Sequence, residues 1–204
     1  MALNIALSLV GFSGFLALDW HWLRHRPVLS AACSAAASFS LVVALLLIPD
    51  GPALLPTAWR LYAGCIGAAL VGIGATLLAY SIFVEIPLLL RRASVIGRPV
   101  NIDPSTRTKP VVTGTYALCR HPGYLWLSLL LAGYILAADN VNAIVVSLLW
   151  MAFNFLVVLA QDRWIFPAIF QDYDLYQAST PFLIPHRASI SRAFAGQEEH
   201  HANL

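Results

Sequence analysis

The sequence predicts an all-α, polytopic membrane helical bundle of about five transmembrane helices. Three observations carry the prediction. Hydrophobic residues make up 59% of the 204 positions and charged residues 11%, against about 25% charged in an average soluble domain. So few charges cannot cover a water-facing surface. Apolar stretches recur at the length a bilayer demands, about 20 residues for a helix, and the basic residues collect in alternate loops.

Residues 2–19, 29–48, 59–83 and 141–160 meet or approach span length. No basic region precedes the first, and no small-residue cleavage site follows it, so it reads as a retained helix. A fifth stretch, 123–138, is short and starts just after Pro122. Ala137-Ala138-Asp139-Asn140 reads as a tight polar turn, which makes the last two helices an antiparallel hairpin. Orientation follows from the cytoplasmic preference of Lys and Arg. Arg24 and Arg26 lie in the first loop, and Arg91, Arg92, Arg98, Arg107, Lys109 and Arg120 in the third. Arg163, Arg187 and Arg192 follow the last helix. Only Arg60 falls on the other side. The pattern expects the N-terminus outside and the C-terminus in the cytoplasm, and the short chain suits a prokaryotic inner membrane. Residues 1–90 then carry three spans and 91–122 a cytoplasmic loop. Residues 123–187 form the hairpin with an amphipathic segment, and 188–204 a mobile tail.

A net charge of +2, scattered along the chain, forms no basic groove for nucleic acid. Cys33, Cys65 and Cys119 have no metal or redox spacing and read as structural. His200-His201 is too short a pair for a metal site, and none is expected. Trp20, Trp22, Trp59, Tyr62, Tyr80 and Trp164 sit near proposed span ends, as interfacial aromatics do. Oligomeric state is left open.

Chemistry concentrates in two segments. Residues 109–124 read KPVVTGTYALCRHPGY, with Pro122 suited to a first helical turn. Arg120 and His121 therefore stand at a helix N-terminus, which favours an anionic partner such as a carboxylate; the alternative is a pair of interfacial anchors. Residues 160–187 carry aromatics at three- and four-residue spacings, the stripe of a short amphipathic helix. Asp162, at the end of the last span, needs a partner: a bound cofactor, Arg163 or Arg120. Glu85, in an apolar run before Pro87, is a functional candidate by the same rule. Residues 94–110 read as an ordered loop over the cytoplasmic opening.

Together these segments resemble the isoprenylcysteine carboxyl methyltransferases and the related phospholipid N-methyltransferases. The resemblance rests on Gly114-Thr115-Tyr116, Arg120-His121-Pro122 and Tyr124, then Tyr173, Tyr176, Thr180-Pro181 and Ile184-Pro185. It implies a cytoplasmic-face pocket, formed by the C-terminal part, for S-adenosylmethionine. Tyr116, His121, Pro122 and Tyr124 would hold the cofactor, with Gln161 and Asp162 at the opposite wall. Arg120 would orient the carboxylate or phosphate of a lipidic or small hydrophobic acceptor. Asp162 or His121 would take the proton from an amine or thiol. Gly72-Ile73-Gly74 matches a G-x-G of the phospholipid enzymes, or else serves close helix packing. The sequence departs from the family at Gln161-Asp162, where paired glutamates are usual, and at Phe170, where glycine is.

Three other readings are compatible with the residues. A membrane reductase of the sterol-reductase type would bind NADPH and could recruit Arg91, Arg92 and Arg98. A heme-dependent isomerase-like protein would need His21 and His25, which share a helical face. A non-catalytic membrane scaffold is the third.

Overall fold

Backbone N–H and C=O groups in hydrocarbon need internal partners, so apolar stretches of this length form helices. A computed structural model of the chain describes residues 1–23, 27–85, 109–110 and 112–193, and these residues form helices and no strand. The helices are α1 (Ala2–Leu23), α2 (Pro27–Leu46), α3 (Thr57–Tyr80), α4 (Thr115–Leu118), α5 (Pro122–Ala138), α6 (Val141–Ala160), α7 (Phe166–Ile169) and α8 (Tyr173–Ser179). A further helical stretch covers 187–193, at the start of the segment expected to be a tail.

Three stretches are long and apolar enough to cross a membrane: Ala2–Asp19, Thr57–Glu85 and Val141–Ile169. Of the other two expected spans, α2 has 20 residues, of which Ala32–Leu46 is a described apolar stretch, and Pro122–Ala138 is apolar but shorter. The physical reason is plain for α5. It starts at Pro122 and stops at Asp139, whose φ of 45° is left-handed, so its 17 residues rise only about 26 Å.

The helices pair as α1 with α2 and α3 with α5, and α6 joins the two pairs. Glycines set the α3–α5 approach. A Cβ on Gly67 would lie 2.6 Å from the Gly133 carbonyl oxygen, and one on Gly74 2.6 Å from the Leu130 nitrogen. The backbones are thus closer than any side chain allows, the usual membrane solution for tight packing. Phe12 and Ala44 meet Leu131, Val146, Trp150 and Val157 in the core. A polar seam crosses it: Trp150 Nε1 donates to Ser8 Oγ at 2.7 Å, Ser8 donates to the Asn4 carbonyl at 2.8 Å, and the Asn4 amide donates to the Ala44 carbonyl.

At the far end the expected polar turn forms. Asn140 caps α6 by accepting from the Ala143 amide at 2.8 Å. Asp139 accepts from the amides of Leu54 and Leu55 at 3.1 and 2.9 Å and pairs with Arg60 at 3.2 Å. Asn142 donates to the carbonyls of Pro49 and Asp50, both at 3.1 Å.

At the near end α3 and α6 each run on into a wider π turn, 81–85 and 161–165. Such turns are rare and gather at functional sites. Each carries one buried carboxylate, Glu85 and Asp162, both 5% exposed. The short amphipathic helix expected within 160–187 is instead two shorter helices, α7 and α8. Phe170 is extended and Asp172 takes a left-handed φ of 57°, which folds α8 back against the end of α6.

Candidate functional site

Arg120 and Asp162 are brought together by the two ends of the α5–α6 hairpin. Arg120 Nε donates to Asp162 Oδ1 at 2.8 Å and Nη2 to Oδ2 at 2.9 Å, the two-pronged geometry that a guanidinium makes best. Its remaining nitrogen, Nη1, donates to the carbonyls of Gln177 and Thr180 at 2.9 and 2.7 Å. Asp162 accepts further from Tyr173 Oη at 2.8 Å and from Gln177 Nε2 at 3.1 Å. The Asp162 side chain is buried and that of Arg120 nearly so, at 7% and 11% exposure. The anion expected at the Arg-His terminus of α5 is therefore Asp162 itself, and the partner that Asp162 needed is Arg120. In this arrangement each is engaged by the other and by the chain around it.

His121 is the N-cap of α5 and Pro122 its first residue, as the sequence predicts. The imidazole lies flat on Phe166, 5.6 Å between centroids at 11°, and meets the edge of Phe182 at 5.2 Å. Its Nε2 is 3.4 Å from Asp162 Oδ1. Burial holds the imidazole below its ordinary pKa, and the Asp162 carboxylate opposes that shift only partly. Arg120 has already neutralised the carboxylate, so the ring stays neutral.

The Gly114-Thr115-Tyr116 block is tied to the end of α3. Glu85 Oε1 accepts from the Thr115 amide at 2.7 Å, and Oε2 from the Thr115 hydroxyl. Gly114 makes this possible with a φ of 64°, a conformation that side chains rarely adopt. Glu85, expected to be functional, thus anchors α4. The Tyr116 carbonyl accepts from Tyr176 Oη at 2.7 Å. Burial raises the phenol pKa of Tyr116, Tyr173 and Tyr176, keeping the last two as donors. Burial also pushes the Cys119 thiol up to about 11, so it is unreactive at neutral pH.

Beside this cluster lies a cavity of about 380 Å³, a size that holds small ligands. Arg120, His121, Tyr124, Tyr116 and Gln161 form its polar end; Phe12, Phe15, Leu41, Leu127 and Trp150 its apolar depth. Gln161 and Pro122 also line it. Gly74 does not join them, being packed on α5, and Gly72 faces open space with nothing within 4 Å. Arg91, Arg92, Arg98, Arg107 and His25 lie outside the described residues, as do the side chain of His21 and most of the 94–110 loop.

Sequence reasoning missed four contributors. Asp19 accepts from Gln161 Nε2 at 2.8 Å and is buried; its signal was an acid at the end of an apolar run, the rule already applied to Glu85. Asn154 lines the cavity, and its signal was an amide inside an apolar helix. Gln177 and Phe182 carried none, since only the fold brings them to Arg120. Among the described residues no cluster of His, Cys, Asp and Glu could hold a metal.

No protein-family model, curated protein or solved structure matches the chain.

Proposed function

We propose that the chain is an integral membrane S-adenosylmethionine-dependent methyltransferase acting on a lipidic or small hydrophobic acceptor. The observation that carries this reading is the joining of two segments singled out from sequence. Arg120-His121 and Gln161-Asp162, about 40 positions apart, meet, and Arg120, His121 and Gln161 frame one end of a ligand-sized cavity whose other end is apolar.

The lining suits that cofactor. Tyr124 and Phe166 line the cavity, and such aromatic rings favour a cationic ligand; the cluster offers no unneutralised cation to repel one, because Arg120 is paired with Asp162. Bound there, S-adenosylmethionine supplies an electrophilic methyl group on a sulfonium. His121, Tyr124 and Gln161 would hold it, with Tyr116 and Pro122 behind them. The work left to the chain is positioning and exclusion of water. Asp19 fixes the Gln161 amide, and the Arg120–Asp162 pair fixes the backbone that presents His121. An imidazole whose Nε2–H faces Asp162 keeps a lone pair on Nδ1, so His121 is the better base for an amine or thiol acceptor. A carboxylate acceptor needs none.

One observation favours the non-catalytic scaffold as second reading: the charged pair spends all its polar atoms on the protein itself.

Calorimetry on detergent-purified protein separates the two. Micromolar binding of S-adenosylmethionine and S-adenosylhomocysteine, weakened about tenfold in His121→Ala and Gln161→Ala, supports the enzyme. A folded protein that binds neither leaves the scaffold reading standing.

A further inference from the structure

Among the polar residues of α6 that the site does not use, Asn154 is the one that lines the cavity. It stands near the centre of the apolar stretch Val141–Ile169 and lines the cavity together with Trp150, Val158 and Gln161 from the same helix. Gln161 is two turns away on the same face, about 10 Å along the axis; Trp150 is one turn the other way. Both neighbours are engaged, Gln161 with Asp19 and Trp150 with Ser8. The Asn154 amide has no hydrogen-bond partner among the described residues. An amide offers two donors and an acceptor, and an unpaired one at mid-span depth is costly. Asparagine in membrane helices commonly bonds across to another helix; here it faces the cavity instead.

We propose that Asn154 is a specificity residue that recognises a hydrogen-bonding group within the apolar part of the bound amphiphile. The ligand is then a chain with its head at the His121–Gln161 end and a hydroxyl or carbonyl at mid-chain, about 10 Å below. Phe12, Leu41 and Leu127 contact the hydrocarbon on either side of that group. This deepens the methyltransferase reading and rests on it only in calling the ligand an acceptor.

The test compares binding of stearic acid, of the same acid hydroxylated at mid-chain, and of the acid hydroxylated at its terminal carbon. The protein is held in lipid nanodiscs without S-adenosylmethionine, as wild type and as Asn154→Leu. The wild type should bind the mid-chain hydroxy acid about fivefold more tightly than the other two, the worth of one hydrogen bond. Asn154→Leu should lose the preference, binding the mid-chain hydroxy acid no more tightly than stearic acid because the hydroxyl is then buried without a partner, with an unchanged or raised Tm. Equal binding by the wild type, no binding of any probe, or a preference that survives in Asn154→Leu overturns the proposal. A lowered Tm also overturns it, since that marks a structural amide. Because no cofactor is present, failure to bind S-adenosylmethionine would remove the methyltransferase reading and leave the Asn154 preference intact.

Discussion

Arg120 and Asp162 sit 42 positions apart and meet along two parallel hydrogen bonds of 2.8 and 2.9 Å. The guanidinium also holds the carbonyls of Gln177 and Thr180, so one side chain joins the start of α5, the end of α6 and the end of α8. Removing either charge strands the other in a buried place, which costs about 3–5 kcal/mol. Arg120→Met and Asp162→Leu should each destabilise by that much, while the double variant loses far less than the sum. Thermal and denaturant unfolding in detergent give the coupling; strict additivity would show that the pair is not a structural clamp.

His121 makes stability depend on pH. Burial lowers its folded pKa below the ordinary 6.5, so at mildly acid pH the unfolded chain binds a proton that the folded chain does not. Stability from this group is full above 6.5 and is lost as pH falls from there through the folded value. The Tm of the wild type should drop over that window, and His121→Gln should drop less. Parallel curves for the two proteins would count against a neutral, buried imidazole.

Gly72 and Gly74 are two positions apart and should answer oppositely to alanine. At Gly74 a Cβ would meet the Leu130 backbone, so Gly74→Ala should destabilise by about 1–3 kcal/mol. At Gly72 nothing lies within 4 Å, so Gly72→Ala should be stabilising by up to about 1 kcal/mol and leave ligand binding unchanged. Loss of ligand binding in Gly72→Ala would instead restore the G-x-G pair to the cofactor site.

The tie from Glu85 to α4 is open to a similar test. Gly114→Ala places a methyl against the Glu85 carboxylate at a left-handed φ and should cost about 1–3 kcal/mol. Hydrogen exchange at the Thr115 amide should rise in that variant and in Glu85→Ala. Exchange that stays at the wild-type rate would mean that the carboxylate does not protect this amide.

Local chemistry explains which features the sequence revealed. Hydrophobic runs gave the helices, Pro122 marked the start of α5, and Asp139-Asn140 marked its turn, because each acts on its own few residues. The partner of Arg120 was narrowed to a carboxylate for the same reason. The break after α7 was missed because Phe170 and Asp172 adopt their backbone angles under tertiary contact, against the stripe that surrounds them. Gln177 and Phe182 reach the site only through that break. Asp19 and Asn154 were visible as polar residues in apolar runs, yet the contact of Asp19 with Gln161 and the cavity that Asn154 lines depend on how the α1–α2 pair leans on α6.

That lean has a mechanical consequence. The clasp of Asp139 and Asn142 on the 49–56 loop binds the two hairpins at one end, like the spine of a book. Farther along, among the described residues, side-chain hydrogen bonds cross between the α1–α2 pair and α6 from Trp150 to Ser8 at mid-helix and from Gln161 to Asp19 at the other end. The cavity is the space between the covers. A few degrees of rotation about the spine would widen it for a bulky guest and would strain those two bonds.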